Sequence, residues 1–257
     1  MHLKSATLRP SAFPNRDHYP FNVPLFHRED PIPFTTPVTF FIGENGSGKT
    51  TLLEAIARRC QIHIWRYKEA RRFQPNPYEQ ELKQYLSVEW SNGPVPGSFF
   101  SAQSHREFAL ILDEWAATDP GQLKYFGGES LVTQSHGQST MALFRSAYRN
   151  KGIYFSDEPE TALSPKRQVE LVRLLANMGR EGQAQFIIAT HSPILLACPG
   201  ATIYDFNRSP LNVIAYEETE YYQIYRQFLD NRELFLSQDD PPQSATVPRK
   251  RSSSIPR

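Results

Sequence analysis

Three short apolar runs, widely separated along the chain, are the clearest structural signal in the sequence. They lie at Val38–Ile42, 153–156 and 185–189, and each is followed at once by glycine or polar residues. Short apolar runs that end in turn signals are typical of strands buried on both faces. We therefore expect these three strands to form the centre of a mostly parallel sheet.

Apolar residues at helical spacing mark the stretches between and after these strands, while prolines in 10–37 favour loop and edge structure there. The predicted helices cover 50–59, about 104–115 after a capping box at Ser104, 139–149, 165–178 and 217–236. Further strands are predicted at Leu86–Trp90, 202–206 and 212–215, with the last two antiparallel at the edge of the sheet. Strands alternating with amphipathic helices indicate an α/β fold.

The composition mainly excludes classes of protein. The 257 residues suffice for one domain, expected at 1–238 with a helical lobe at about 104–150, before a disordered tail at 239–257. A net charge of +1 provides no global attraction to nucleic acid or to anionic membranes. With two cysteines and no apolar run of about 20 residues, we expect a cytoplasmic protein without a disulfide framework or a membrane segment.

The run at Val38–Ile42 leads into a glycine-rich turn that fits G-x-x-x-x-G-K-[ST] at every position. Glycines let successive backbone N–H groups face the β- and γ-phosphates of ATP, and the following helix adds its free N-terminal donors. Lys49 supplies a positive charge, and the Thr50 hydroxyl can ligate Mg²⁺. The predicted nucleotide-binding residues are Gly43, Glu44, Asn45, Gly46, Ser47, Gly48, Lys49, Thr50 and Thr51.

Two adjacent carboxylates, Asp157 and Glu158, follow the strand predicted at 153–156. In α/β sheets, ligands bind beyond the carboxyl ends of the strands, where both side chains would lie. Asp157 would hold Mg²⁺, directly or through water. Glu158 would orient and polarise the attacking water, because phosphoryl transfer mostly needs positioning and charge compensation.

A histidine, His191, comes just after the strand predicted at 185–189. A lone histidine is more often a capping or packing residue. Its place after a strand downstream of the carboxylate pair favours a functional interpretation, in which its ring reaches the γ-phosphate and senses its presence.

These motifs resemble the Walker A, Walker B and switch-histidine sequences of ATP-binding-cassette (ABC) ATPases. Residues 41–57 and 157–165 are especially similar to small AAA-family ATPases of the branch that includes chromosome-maintenance and RecF-like proteins, and the similarity spans about 38–236. The resemblance implies a P-loop NTPase fold of ABC-ATPase type. This fold has a central, mostly parallel sheet with an antiparallel edge and a small helical signature lobe.

The same resemblance implies further site residues. Gln103 corresponds to the glutamine loop, which contacts Mg²⁺ and the attacking water. Ser135, Gly137 and Gln138 correspond to the signature motif, which caps the γ-phosphate bound to the opposite subunit. His136 stands where that motif has its first glycine, which makes it a departure from the family pattern.

Two more features of the family leave alternatives in this sequence. Residues 162–164 correspond to the D-loop, which contacts the partner cassette, although a helix N-cap explains Ser164 equally well. An aromatic residue upstream of the P-loop often stacks on adenine in the family. The sequence offers four such aromatic residues without choosing among them: Phe13, Tyr19, Phe21 and Phe26.

The partners implied are an ATP-dependent homodimer and an unidentified protein on which it acts, in DNA repair or defence. Between Gln103 and Ser135 there is no room for a long coiled coil. The alternatives are the ATP-binding subunit of a transporter and a nucleotide-gated regulatory switch with slow turnover. The basic, aromatic stretch 58–73 is compatible with nucleic-acid binding, but a solvated helix face is the simpler interpretation.

Replacing Lys49 with alanine tests the phosphate-binding prediction. Hydrogen bonds to charged groups contribute about 1.5–3 kcal/mol each, so we expect ATP binding to weaken by about 100-fold or more, below detection. Titration with a fluorescent ATP analogue measures this loss. Lys151→Ala removes a lysine outside the motif and should leave the affinity unchanged, and unchanged affinity in Lys49→Ala would contradict the prediction.

Overall fold

The computed structural model describes residues 1–65, 76–78, 80–119, 121, 123, 130 and 136–236. The strands are β1 Leu3–Leu8, β2 Ile32–Pro33, β3 Val38–Ile42, β4 Leu86–Trp90, β5 Gly97–Ser101, β6 Gly152–Asp157, β7 Ala184–Ala189, β8 Thr202–Asp205 and β9 Asn212–Val213. The helices are α1 Lys49–Arg59, α2 Ala102–Thr118, α3 His136–Ala147, α4 Pro165–Arg180, α5 Pro193–Leu196, α6 Glu220–Asp230 and α7 Arg232–Leu236.

The main sheet has six strands in the order β5-β6-β7-β3-β8-β9. Pairing is parallel from β5 through β8, and β9 alone runs antiparallel, at the edge beside β8. The α/β fold with a mostly parallel sheet and an antiparallel edge is therefore confirmed. The two strands predicted at 202–206 and 212–215 do pair antiparallel with each other, but β8 itself runs parallel to β3.

The three predicted central strands lie side by side as β6, β7 and β3, and all residues of β3 and β7 are buried. Their side chains alternate between two apolar cores, because successive residues of a strand point to opposite faces. Phe41 belongs to the core with α1, and its neighbours Phe40 and Ile42 belong to the core with α4. The sheet is thus covered on both faces, which explains its continuous apolar runs.

A second sheet, antiparallel and in the order β2-β1-β4, lies on the α1 side of the molecule. The strand predicted at Leu86–Trp90 is β4, which belongs to this sheet rather than to the central one. The strand β1 has no counterpart among the predicted elements, because its sequence, Leu-Lys-Ser-Ala-Thr-Leu, mixes polar and apolar residues.

Several boundaries differ from the sequence-based expectation. The capping box at Ser104 is wrong, because α2 begins at Ala102 directly after β5 and Ser104 lies inside the helix. The helix predicted at 217–236 is divided at Asn231, whose non-helical backbone, with φ of −152° and ψ of 78°, separates α6 from α7. The predicted tail at 239–257 lies outside the described residues. Among the described helices, none is long and apolar enough to cross a membrane.

A buried glutamine joins the two sheets. Gln185 in β7 is 0% exposed, and its Oε1 accepts the backbone N–H groups of His2 and Leu3, both at 2.8 Å. Its Nε2 donates to the Leu3 carbonyl at 2.9 Å. One side chain thus satisfies three backbone groups at the start of β1 and fixes the second sheet against the first.

Replacing Gln185 with leucine should destabilise the fold strongly. It would leave two buried N–H groups and one carbonyl without partners, at about 1–3 kcal/mol each, so we expect the free energy of unfolding to fall by about 3 kcal/mol or more. Urea denaturation measures this change. Gln223→Leu, at an exposed position of α6, is the matched control and should change it by about 0.5 kcal/mol or less. Equal effects of the two substitutions would contradict this account.

Candidate active site

The register of the central strands aligns their carboxyl ends. Asp157 of β6 lies opposite Ala189 of β7, and Ala189 lies opposite Phe41 of β3. The pairing continues past the strands, since the Glu158 N–H donates to the Ala189 carbonyl at 2.9 Å and the Thr190 N–H donates to the Phe41 carbonyl at 3.1 Å. The glycine-rich turn, the carboxylate pair and the histidine loop therefore leave the sheet at one edge.

The glycine-rich turn passes from β3 into α1 through Gly48, which precedes Lys49 with φ of 96°. This left-handed conformation is easily adopted by glycine. A Cβ at Gly48 would also lie 2.8 Å from the Phe26 ring, so the turn packs directly on the core. Gly43 and Gly46 have positive φ as well, and Glu44, Asn45 and Gly46 form the exposed part of the turn.

Lys49 is 5% exposed, and its ammonium lies inside the turn. Its Nζ donates to the carbonyls of Gly43 at 2.6 Å and of Glu44 at 2.8 Å. Burial lowers the pKa of Lys49, while the carboxylates of Glu158, Asp157 and Glu160 act in the opposite direction. The buried cation is thus held by carbonyl oxygens and by the acidic residues around it.

Outside the turn, neighbouring segments fix its ends. The Glu44 N–H donates to the Asn207 side chain at 2.7 Å, just after β8. At the other end, the Thr51 hydroxyl contacts the hydroxyl of Tyr19. The Ser47 hydroxyl is buried and has no hydrogen-bond partner among the described residues, which leaves it available to a ligand.

Thr50 and Asp157 bring two oxygen ligands together, because the Thr50 hydroxyl donates to Asp157 Oδ1 at 3.0 Å. Burial raises the pKa of Asp157 to about 6; the Thr50 hydrogen bond opposes this shift, and the nearby carboxylates of Glu158, Glu54 and Glu160 add to it. A cation would relieve this cost of burying negative charge. Among the described residues, no group of three or more His, Cys, Asp or Glu could hold a metal by itself. This pair fits Mg²⁺, which is commonly held by one or two protein ligands, substrate phosphates and water.

Glu158 and His191 face each other at the same edge. Glu158 has φ of 45°, an uncommon left-handed conformation for a residue with a side chain, and such strain is often found at functional sites. The side chain of Glu158 is 40% exposed, and its Oε1 lies 3.3 Å from His191 Nε2. Burial and the positive charge of Lys49 lower the pKa of His191, while the nearby Glu158 carboxylate raises it.

Two residues at this site were missed by sequence reasoning. Glu160 accepts the His191 backbone N–H at 2.6 Å, and burial raises the pKa of its carboxyl. The Tyr221 hydroxyl lies 2.7 Å from His191 Nδ1 and donates to the Gly43 carbonyl at 2.8 Å. The acidic run 157–160 contained a signal for Glu160. Tyr221 gave none, because it is distant in sequence from both partners.

The remaining predicted site residues either lie apart from this cluster or fall outside the residues that the structure describes. Gln103 is in the first turn of α2, two residues past Ser101, which pairs with Asp157 across β5 and β6. Ser135 and the side chains of Gln103 and His136 lie outside the described part of the chain. Gly137 is in the first turn of α3, where a Cβ would lie 3.3 Å from the Ala162 carbonyl, and Gln138 beside it is exposed.

The four candidate adenine-stacking residues differ in their exposure. Phe21 and Phe26 are 0% exposed and belong to the apolar core, and Phe13 packs against that core. Tyr19 is 41% exposed and contacts the end of the glycine-rich turn through Thr51. Burial therefore removes Phe21 and Phe26 as stacking residues and favours Tyr19.

The second half of the basic, aromatic stretch 58–73 lies outside the described residues. Within the described part, Arg58 lies 3.9 Å from Glu54 on α1, and the Trp65 ring packs edge-on against Trp115 of α2.

Comparison with known protein families matches two regions of the chain. One contains the glycine-rich turn, and the other contains the carboxylate pair and His191. A family model described as "AAA domain" matches residues 22–59, and one described as "AAA domain, putative AbiEii toxin, Type IV TA system" matches residues 127–197. The thiamine import ATP-binding protein ThiQ of Haemophilus influenzae (strain 86-028NP) is 30% identical over 168 residues, which cover 59% of this chain and 74% of that protein. The petrobactin import ATP-binding protein FpuD of Bacillus anthracis is 25% identical over 202 residues, which cover 72% of this chain and 69% of the relative.

Solved structures share the fold at low sequence identity. A structure titled as a putative metal-chelate type ABC transporter in an inward-facing conformation has a TM-score of 0.51 at 14% identity, with 88% of each chain covered. A structure titled as an SmcHead bound to the C-winged helix domain of ScpA has a TM-score of 0.52 at 11% identity. It covers 85% of this chain and 99% of that one. Together with the relatives above, the fold and the site show that this chain belongs to the ABC-type AAA ATPases and binds and hydrolyses ATP.

Proposed function

We propose that this ATPase works as an ATP-sandwich homodimer whose formation and hydrolysis switch the conformation of a partner protein, in DNA repair or defence. The observation that carries the proposal is the convergence of Lys49, Asp157, Glu158 and His191 at one edge of the sheet. The carboxylate that would activate water and the histidine that would sense the γ-phosphate are only 3.3 Å apart.

In the hydrolytic step, each side chain has a positioning or electrostatic task. Lys49 exchanges its bonds to the Gly43 and Glu44 carbonyls for phosphate oxygens, because a phosphate is the stronger acceptor. Glu158 orients the attacking water and accepts its proton. His191 contacts the γ-phosphate from the neighbouring loop and thereby distinguishes ATP from ADP.

The divalent ion of the proposed site is Mg²⁺, held by Thr50 and by Asp157 directly or through water. The 3.0 Å contact between their oxygens and the burial of Asp157 support this assignment. Mg²⁺ would neutralise charge on the β- and γ-phosphates. Gln103 would join the site from α2, since β5 ends beside Asp157 two residues before it.

Tyr19 is the proposed adenine-stacking residue. Its ring is exposed while those of Phe21 and Phe26 are buried, and its hydroxyl contacts Thr51 at the end of the P-loop. An aromatic ring beside the phosphate site can stack on the adenine base, because stacking needs only a π-face.

The dimer rests on the signature residues Ser135, Gly137 and Gln138, which would cap the γ-phosphate of the opposite subunit. The first turn of α3 packs against the 3-10 helix 159–162, directly after the carboxylate pair. Arg145 of α3 pairs with Glu170 of α4, which is itself held by Arg167 one turn earlier in the same helix, so one ion pair joins the two helices. These contacts support a rigid link between the signature helix and the segment proposed as the D-loop.

A transporter subunit is the second candidate, because the curated relatives compared above are named as import ATP-binding proteins. Membrane subunits that co-purify with the chain would favour it. Stimulation of the ATPase by nucleic acid would favour repair or defence, and stimulation by a protein partner alone would favour a regulatory switch.

Replacing Glu158 with glutamine should stop turnover without removing nucleotide binding. The amide keeps the size of the side chain but is a poor base, so we expect the ATPase rate to fall by about 100-fold or more. Steady-state phosphate release and equilibrium ATP binding measure the two effects. Glu181→Gln, an exposed substitution after α4, is the control with native turnover. The proposed role of Glu158 is wrong if Glu158→Gln hydrolyses ATP at the native rate.

Replacing Ser135 with arginine tests the dimer. A bulky cation at the subunit interface would prevent the sandwich, so we expect turnover to fall to the residual level of an isolated subunit while ATP affinity stays within about twofold. Fluorescent-nucleotide titration and phosphate release separate these effects. Lys151→Arg introduces the same residue type, arginine, at an exposed position away from the signature motif. This control should change neither turnover nor ATP affinity. Native turnover in Ser135→Arg would contradict the signature assignment.

A further inference from the structure

We propose that Tyr221 is a positioning residue that holds the His191 imidazole in the Nδ1–H tautomer and joins it to the first carbonyl of the P-loop. The inference rests on the proposed role of His191, but its first test does not depend on activity. Tyr221 lies in the first turns of α6, and its hydroxyl contacts both His191 and Gly43.

The donors and acceptors around Tyr221 determine which nitrogen of the His191 ring carries the proton. A phenol has one O–H to donate, and a backbone carbonyl can only accept. At 2.8 Å from the Gly43 carbonyl, the Tyr221 hydroxyl donates to that oxygen. Its contact with His191 Nδ1, at 2.7 Å, must then be made by an Nδ1–H group that donates to the phenol oxygen.

The second ring nitrogen of His191 is consequently an acceptor in the neutral imidazole. Nε2 is buried, lies 3.3 Å from Glu158 Oε1, and has no hydrogen bond among the described residues. A proton that Nε2 takes up from solvent, or from the Glu158 carboxyl after it has accepted one from water, gives an imidazolium whose two N–H groups face the Tyr221 oxygen and an acceptor, either Glu158 or a phosphate oxygen. Tyr221 therefore determines which atom of His191 is free to engage the nucleotide side of the site.

The position of Tyr221 is well fixed by its surroundings. Its ring packs edge-on against the His191 ring, with centroids 5.4 Å apart and planes at 87°. Thr219, which is 0% exposed, caps α6 by accepting the Tyr222 N–H at 3.2 Å and donates to the Tyr216 carbonyl at 2.7 Å. Burial raises the pKa of the Tyr221 hydroxyl to about 12, so the phenol remains a donor at neutral pH.

The same hydroxyl links the nucleotide loop to the C-terminal helix. Gly43 O accepts from both Lys49 Nζ and Tyr221. When Lys49 moves to a phosphate, Tyr221 remains as the donor to that carbonyl and keeps the turn and His191 at a fixed separation. Tyr221 is thus expected to affect the catalytic step more than ATP binding.

Nitrogen NMR of the full-length protein with ¹⁵N-labelled histidine tests the tautomer directly. In the native chain we expect the His191 signal, assigned by its loss in His191→Asn, to show a protonated Nδ1 and an unprotonated Nε2. In Tyr221→Phe, which keeps the ring but lacks the acceptor oxygen, the signal should shift towards the Nε2–H form. Tyr222→Phe alters the adjacent tyrosine, whose hydroxyl accepts from Arg226, and should leave the signal unchanged.

Kinetics provide the second readout. Tyr221→Phe loses both hydrogen bonds of the phenol, to Gly43 and from His191, and we expect kcat to fall by about five- to tenfold with KM for ATP within about twofold of native. An Nε2–H tautomer in the native chain, or an unchanged tautomer in Tyr221→Phe with native thermal stability, would overturn the proposal. If His191→Asn hydrolysed ATP at the native rate, the proposed role of His191 would fail, while the NMR result would still decide whether Tyr221 sets its tautomer.

Discussion

The aligned parallel pairing of β6, β7 and β3 is the constraint on which the site depends. One register places Asp157, Ala189 and Phe41 in a row, so the segments that follow all leave the sheet at the same edge. A shift of one residue in any of these strands would send its side chains to the opposite core and move its loop. The burial of both faces of the sheet opposes such a shift, because each face is apolar.

Charge balance is the second constraint. The site buries one ammonium, Lys49, beside the carboxylates of Asp157 and Glu160. Burial alone acts against the charged form of each of these groups, so they are stabilised mainly by one another and by their hydrogen bonds. A nucleotide with its metal ion would bring both signs of charge into this network. Its binding would therefore rearrange contacts already present, notably those of Lys49 with the P-loop carbonyls.

How much of the fold and of the site could be predicted depends on how far apart in the sequence the contacting residues lie. The bounds of β3 and the nucleotide-binding pattern after it are readable because a buried run and a glycine-rich turn are local signals. The strand β1 was missed because its burial depends on pairing with β4, about 80 residues away, and on Gln185. Tyr221 was missed for the same reason. The choice of Tyr19 over Phe21 and Phe26 required knowing which rings the core covers.

The most direct measurement is the mass of the Glu158→Gln variant by size-exclusion chromatography with multi-angle light scattering, with and without Mg²⁺ and ATP. The account predicts a monomer without nucleotide and a dimer with both, because the variant would hold ATP at the shared interface without hydrolysing it. A variant that binds ATP but stays monomeric would contradict the sandwich dimer. That result would direct attention to His136, where the signature motif departs from its family pattern.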